Sequence, residues 1–442
     1  MVQKKFYIKT LGCKVNQYES QVIRENFLKS GYIEAGNIDE ADICVVNTCT
    51  VTSASDSKSL KSIRSGLEKK DRCVIATGCM IDAKDTDLRR LKGADFIIKN
   101  KDKYRIPELI SKPIHPSPFT LHRIDSISRF KGHARAFVKV QDGCDNRCSY
   151  CKVSIVRGRS RSRPLEDIIS ECATLIKNGY KEIVLTGICL GSYGRDISKD
   201  MNLSKLIEGL RRIDGDWRMR LSSIEPKDVT TELISQIKSE KKLCKHLHIP
   251  FQSGDDEILK RMARPYTSAD YIGIAERLRK AIPDIAISTD IMAGFPGEKD
   301  ANFKNTLNFI KEIRPMRLHV FGFSKRQGTP AYNYKDNAAG AVKKQREQEL
   351  LNLADSFSRE FEGMFIGKTA RVLVEDKRDE QGLLEGYTDR YTRVLINGPD
   401  TIKSSIITCQ LTHAPYQNLC HKDFGTGLTN QKVYGILSPY SD

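Results

Sequence analysis

Three cysteines within eight residues, Cys144, Cys148 and Cys151 in GCDNRCSYC, constrain this chain more than any other feature. A Cys-x3-Cys-x2-Cys spacing lets three thiolates converge on one inorganic centre. Soft thiolate donors suit zinc or the iron of an iron–sulfur cluster. A structural zinc site asks for four protein ligands in closed tetrahedral geometry. No fourth cysteine or histidine lies close by: Cys172 and Cys189, the next cysteines, fall in a helical pattern and after a later strand. Three cysteines on a 4Fe-4S cluster leave one iron open to a substrate or cofactor. The triplet also follows an apolar run, FVKV, and so falls at the carboxyl end of an expected strand.

A second set repeats a local pattern. Cys13, Cys49 and Cys79 each close a strand-like run, in FYIKTLGC, ICVVNTC and CVIATGC. Their spacings fit one βα unit between successive cysteines, and side chains at the carboxyl ends of neighbouring parallel strands meet in one crevice. A second metal centre is therefore expected, with three buried structural cysteines as the alternative. Thirteen cysteines is an odd number in a chain too long to need disulfide staples. Cys44 and Cys73 read as small buried hydrophobes. Cys172, Cys189, Cys244, Cys409 and Cys420 have no motif partner and are expected to be non-ligands. His246 and His248 alternate within one strand, where a structural role is expected.

The periodicity divides the chain. Residues 1–110 alternate short apolar runs (Phe6–Ile8, Ile43–Val46, Cys73–Ala76, Phe96–Ile98) with helical stretches near Glu19–Lys29, Ala54–Lys69 and Asp87–Leu91, which predicts a parallel α/β domain. Residues 111–131, with Pro113, Pro116 and Pro118, read as a linker. Residues 132–360 give six βα units, on strands near Ala136–Val140, Glu182–Leu185, Trp217–Leu221, His246–Ile249, Ile285–Thr289 and Leu318–Phe321. That predicts a partial (β/α)6 barrel with its chemistry at the carboxyl ends of the strands. Residues 361–442 turn to short alternating runs and predict a small antiparallel β-barrel of about five strands.

No run approaches the roughly 20 apolar residues of a membrane span, and the N-terminus lacks an apolar signal core, so a cytoplasmic protein without a membrane partner is expected. A net charge of +17 favours a polyanionic partner, nucleic acid first. The C-terminal region does not share that charge: residues 361–442 hold nine Lys+Arg against ten Asp+Glu. RNA contact there would rest on local patches or on aromatics such as Tyr387 and Tyr391.

The central triplet, with Tyr150 before its last cysteine and at the end of the first of six βα units, resembles the radical S-adenosylmethionine superfamily. The resemblance implies that the open iron chelates the amino and carboxylate groups of S-adenosylmethionine and that an electron from a strongly reducing cluster cleaves the cofactor to a 5′-deoxyadenosyl radical. TLGCKVNQYES, NTC and TGC ahead of that triplet are similar to the methylthiotransferase family, as are RGRSRSR, SSIEP, HIPFQSG, DIMAGFPGE, HVFGFSKRQGTPA and the TRAM-like C-terminal barrel. This second resemblance implies an auxiliary 4Fe-4S cluster on Cys13, Cys49 and Cys79 that carries the sulfur to be delivered. Asn16 belongs to the opening motif. Lys14-Val15 after the first cysteine looks like the branch that adds a methylthio group to C2 of N6-threonylcarbamoyladenosine beside the tRNA anticodon. The partners so implied are tRNA, an external electron donor and a sulfur source. Isopentenyl-adenosine in tRNA or a ribosomal protein is the alternative substrate, and a non-catalytic iron–sulfur RNA sensor the alternative from another class. The oligomeric state stays open.

Arg157, Arg159, Arg161 and Arg163 recur at a spacing of two, which in an extended segment places them on one face, as a candidate contact for tRNA phosphate or a threonyl carboxylate. Gly187, Ser223, Glu225, Gln252 and Asp290 fall at the carboxyl ends of the expected strands. By resemblance they surround S-adenosylmethionine, with Gly294 and Gly297 allowing close backbone approach and Arg264 a candidate for the cofactor carboxylate.

Overall fold

The computed structural model describes residues 3–83, 88–111, 125–335, 338–413 and 433–437. Pro113, Pro116, Pro118 and Cys420 lie outside the described residues. The chain is α/β. Its first sheet is parallel, in the order β2-β1-β3-β4-β5, from β1 (Lys5–Thr10), β2 (Ile33–Glu34), β3 (Ile43–Thr48), β4 (Cys73–Gly78) and β5 (Phe96–Ile97). The central strand β3 is buried at every position, which is why it reads as an unbroken apolar run rather than an alternation. Helices α1 (Lys14–Lys29), α2 (Ser53–Leu67), α3 (Cys79–Asp82) and α4 (Ile106–Ile110) complete this unit. Phe6, Val45 and Ile75 pack on one face of the sheet with Ile23 and Phe27, and Val46 and Ala76 on the other with Leu60 and Ile63.

The larger unit is a partial barrel. Its strands are β6 (Arg135–Lys139), β9 (Glu182–Thr186), β10 (Arg218–Leu221), β11 (His246–His248), β12 (Ala286–Ala293) and β13 (Arg317–Gly322). They form two three-stranded parallel runs, joined by bridges at Met219–Leu243 and Ser223–His248. A short antiparallel pair, β7 (Gln141–Asp142) with β8 (Arg161–Ser162), closes the long loop after β6. That loop contains α5 (Val153–Arg157), and outside the barrel run α6 (Leu165–Lys177), α7 (Leu203–Leu210), α8 (Thr231–Ser239), α9 (Asp256–Arg261), α10 (Ser268–Ala281), α11 (Asp300–Ile313) and α12 (Gly340–Gly363). The main hydrophobic core fills the layer between strands and helices, with Val138, Leu185, Met219, Leu247, Ile287 and Ile291 among its members.

Strands β14 (Thr369–Arg378), β15 (Leu384–Thr388), β16 (Arg393–Ile396), β17 (Ile406–Thr412) and β18 (Tyr434–Leu437) close into the small barrel, in the order β14-β15-β16-β18-β17. It caps the amino end of the large one. Arg218 donates to the Tyr387 carbonyl (2.8 Å) and Arg220 to those of Thr388 (3.0 Å) and Asp389 (2.9 Å). Buried Glu182 binds both guanidiniums, Arg218 at 2.6 Å and Arg220 at 2.9 Å. Tyr387 and Tyr391 stack on each other at 5.1 Å, with Arg135 4.7 Å from the first ring and Arg220 4.6 Å from the second. This corrects the sequence expectation for the two tyrosines: their faces serve the joint between barrels, where cation–π contacts occupy the surfaces that an RNA base would need.

Candidate active site

The N-terminal unit roofs the carboxyl end of the barrel, and the cysteines of its three strand ends meet there. Gly12 and Gly78, one residue before Cys13 and Cys79, hold φ of +96° and +97°. A Cβ on Gly12 would stand 2.7 Å from the Cys49 sulfur, and one on Gly78 2.5 Å from the Thr48 backbone. Only glycine allows that approach. Asn16 laces the loops together, its amide donating to the carbonyls of Leu11 (2.7 Å) and Thr48 (2.9 Å). Cys49 and Cys79 are buried and Cys13 is exposed. Burial pushes the Cys79 thiol up to about 11 and raises Cys49 as well, with the charge of Cys13 adding to both.

The central triplet sits in the loop between β7 and β8. The Cys144 N–H donates to the Gly158 carbonyl (3.1 Å), and the Cys151 N–H to that of Cys148 (3.1 Å). Ser149 fastens the loop to α9 through the carbonyls of Met262 (3.0 Å) and Arg261 (2.8 Å). The Tyr150 ring meets Phe295 edge-on at 6.4 Å. Arg264 donates to the Cys148 sulfur (3.2 Å) and to Glu225 (2.6 Å), and the Tyr266 hydroxyl also donates to Glu225 (2.9 Å). Cys189, with no motif partner in sequence, shares a hydrogen bond with the Cys144 sulfur that lowers the Cys144 thiol.

Three soft thiolates per site, without a closed set of four protein ligands in either motif, fit the iron of a cluster. Among the described residues, His248, Asp290 and His319 bring three ligand atoms within 4.8 Å of one another.

Arg157 and Arg326 tie roof to barrel. Arg157, buried at the end of α5, donates to the Asn16 side-chain carbonyl (2.6 Å), Glu19 (2.9 Å) and Asp142 (3.0 Å). Glu19 also binds Lys139 at 2.9 Å and Lys103. Burial would raise the Glu19 carboxyl, but Arg157 first, then Lys103 and Lys139, hold it well below the usual range. On the other side, Arg326 donates to the Thr50 carbonyl at 2.9 Å and to Asp56 at 2.6 Å, beside Cys49.

These contacts correct the reading of the arginine repeat. Arg157 ends a helix, and Arg163 is bonded to Glu171 (2.6 Å), the Tyr18 hydroxyl (2.9 Å) and the Lys139 carbonyl (2.8 Å). The four do not share one extended face, because α5 and the β7–β8 pair break the segment. Arg157 and Arg163 are committed to carboxylates inside the protein, and Arg159 and Arg161 are exposed.

The remaining predicted positions border the barrel mouth and lumen. Gly187 lies where a Cβ would stand 3.0 Å from the Gln141 side-chain oxygen. Ser223 is exposed and bridges to His248. Gln252 adopts a left-handed φ of 71° so that its backbone can bond β12 at the Asp290 carbonyl (2.8 Å). Gly294, also at positive φ, donates its N–H to Glu298. The Asp290 side chain binds His248 (3.2 Å) and His319 (3.1 Å). Glu19, Lys139, Arg326 and His319 escaped the sequence reading: Glu19 lies within a helix, Lys139 and His319 in strands and Arg326 in the loop after β13, and only the fold brings them to the site. The signal for Arg326 was its place inside HVFGFSKRQGTPA.

A cysteine triplet at the mouth of a parallel barrel is the arrangement of a radical S-adenosylmethionine protein. Residues 138–310 match the radical SAM superfamily, and residues 5–99 match the family described as "Uncharacterized protein family UPF0004". The fold is similar to that of the radical S-adenosylmethionine methyltransferase TsrM from Kitasatospora setae (TM-score 0.53, 13% identity, 75% of this chain and 77% of that one). Over most of its length the chain is similar to curated relatives. It is 36% identical to the threonylcarbamoyladenosine tRNA methylthiotransferase MtaB of Bacillus subtilis, over 92% of this chain and 93% of the relative. It is 37% identical to the MtaB of Thermotoga maritima, over 87% and 90%. It is 32% identical to the tRNA-2-methylthio-N(6)-dimethylallyladenosine synthase of Carboxydothermus hydrogenoformans, over 93% and 97%. The chain belongs to the radical S-adenosylmethionine methylthiotransferase family, an enzyme family whose radical domain implies a 4Fe-4S cluster and S-adenosylmethionine. Among the described residues no helix is long and apolar enough to cross a membrane.

Proposed function

We propose that this enzyme places a methylthio group on C2 of N6-threonylcarbamoyladenosine beside the anticodon of a tRNA. The observation that carries the reading is Arg157, which ties the segment after one cysteine triplet to the segment after Cys13. Cys144, Cys148 and Cys151 would hold the radical cluster and Cys13, Cys49 and Cys79 an auxiliary one, which together supply reducing electrons and a transferable sulfur when bound. Lys14-Val15 and the similarity to the two MtaB proteins support threonylcarbamoyladenosine over the dimethylallyl alternative.

The chain's own residues supply order around that chemistry. Arg264 spans Cys148 and Glu225, so the groups offered to the cofactor's methionyl end move as one body. Its planar fork can meet both partners at once. Arg157, Glu19 and Arg326 fix the distance between roof and mouth. Arg159 and Arg161 are exposed beside the mouth and meet tRNA phosphate, so binding weakens as salt rises. An external reductant, a sulfur donor and a cytoplasmic setting complete the proposal.

Mass spectrometry of bulk tRNA from a strain lacking this chain tests it. The methylthio group on threonylcarbamoyladenosine is expected to disappear and to return on complementation. Its persistence, with no second such enzyme present, overturns the substrate.

A further inference from the structure

Helix α2 carries a face that the chemistry above does not use. Lys58, Lys61 and Arg64 follow one another at steps of three, which sets them within about 120° of the helix circumference and along about 9 Å of its axis. All three are exposed, as are the small residues Ala54 and Ser57 that share their face. The other face, with Ser59, Leu60, Ile63 and Gly66, is buried. A Cβ on Gly66 would stand 3.3 Å from Val74, so the helix lies tight on its sheet and its rotation is fixed. The cations therefore stay turned outward.

The acids of this segment do not neutralise them. Asp56 lies off the face and accepts from Arg326 at 2.6 Å, and Glu68 caps the far end of the helix. Among the described residues, none of the three cations is paired with a carboxylate.

The helix is also anchored where it leaves the site. Ser59 accepts the N–H of Cys49 (3.2 Å) and donates to the Cys49 carbonyl (3.1 Å). The Ser53 hydroxyl lies 2.8 Å from that of Ser324, in the loop after β13 that also holds Arg326. Lys58 and Lys61 thus flank a residue bonded to the backbone of a cluster cysteine, on a helix held by roof and barrel together.

The small C-terminal barrel leaves the need for such a surface, since it is near neutral and Arg135 and Arg220 occupy its tyrosine rings. A protein partner would ask for large apolar or aromatic anchors, and this face has none. A phosphate backbone asks only for cations and for small residues that let it approach.

We propose that the Lys58, Lys61 and Arg64 face of α2 is a seat for the phosphate backbone of the substrate RNA. This rests on the RNA reading above and names a surface that serves it. Contacts of this kind position the RNA without reading its sequence.

The test measures binding of the reconstituted, unreduced enzyme to an anticodon stem–loop carrying N6-threonylcarbamoyladenosine, between about 50 and 200 mM salt. Lys58→Ala, Lys61→Ala and Arg64→Ala are each expected to flatten the slope of log affinity against log salt by about one, and Lys58→Ala with Lys61→Ala by about two. Lys61→Arg should keep the wild-type slope. Lys304→Ala with Lys311→Ala removes the same charge from exposed positions on the outer helix α11 and should keep it too. Iron content and melting temperature report whether each variant is folded. A wild-type slope in the α2 double variant, or an equal loss in the α11 double variant, overturns the proposal. So does an α2 double variant that binds RNA normally but is reduced more slowly by an acidic flavoprotein, which would give the face to the electron donor. Failure of wild type to bind the stem–loop at all would sink the RNA reading as well, whereas unchanged slopes with wild type binding sink this inference alone.

Discussion

Arg157 donates to the Asn16 side-chain carbonyl at 2.6 Å, across 141 residues of chain. Asn16 lies just after Cys13 and Arg157 just after Cys151, so one hydrogen bond ties the loops of both triplets. The same guanidinium binds Glu19 and Asp142, with its side chain 3% exposed. Removing one partner of such a pair leaves the other charge buried and uncompensated, which costs about 3–5 kcal/mol. Arg157→Leu is expected to lower the melting temperature of the anaerobic protein sharply, and Arg157→Leu with Glu19→Leu to recover part of the loss. A double variant no more stable than the single one would show that the pair is not coupled.

Acid should loosen the same joint. The folded pKa of Glu19 is depressed below that of the unfolded chain, because Arg157, Lys103 and Lys139 outweigh burial. Its contribution is therefore complete above the ordinary carboxylate pKa of about 4.3 and is lost as pH falls toward the folded value. Melting temperatures from about pH 5 down to about pH 2 should fall less steeply in Glu19→Gln than in wild type. Parallel curves would place the acid sensitivity elsewhere.

How much of this was legible in the sequence follows from what each element reports locally. The strands of both parallel sheets stood out because burial on two faces writes a continuous apolar run, as in ICVVNT. The cysteines stood out because a short spacing, or a shared place at strand ends, is itself the signal. Two-residue strands such as Ile33–Glu34 and Gln141–Asp142 were not legible, since their pairing comes from neighbours rather than from any period of their own. The arginine repeat misled for the same reason. A spacing of two shares a face only in extended backbone, and α5 ends at Arg157. Nothing local reveals that Tyr387 and Tyr391 face three arginines, because those come from strands of the other barrel, far away in sequence.

Arg264 should be sensitive to conservative change. It joins Cys148 at 3.2 Å to Glu225 at 2.6 Å, and a lysine ammonium lacks the fork that reaches both. Misplacing cofactor-orienting groups by an ångström costs about 10²-fold in rate. Arg264→Lys is expected to lower 5′-deoxyadenosine formation on that scale with iron content unchanged. If iron falls in step with activity, Arg264 holds the triplet together rather than orienting the cofactor.

The two triplets should also separate chemically. Cys13, Cys49 and Cys79 close three strands of one sheet, whereas Cys144, Cys148 and Cys151 lie on a loop whose own bonds, Cys144 to Gly158 and Ser149 to Met262, involve no residue of the roof. Removing the first set therefore leaves the second loop's frame intact. Two three-cysteine clusters predict roughly eight irons per chain. A Cys13→Ala, Cys49→Ala, Cys79→Ala triple variant is expected to retain about half of that iron. It should still release 5′-deoxyadenosine from S-adenosylmethionine with dithionite, and it should yield no methylthio product. Arg157 keeps Glu19 and Asp142 in this variant, so the roof stays docked and the loss reports on sulfur delivery rather than unfolding. Full iron retention in the triple variant would remove the auxiliary site, and the assignment of sulfur transfer with it.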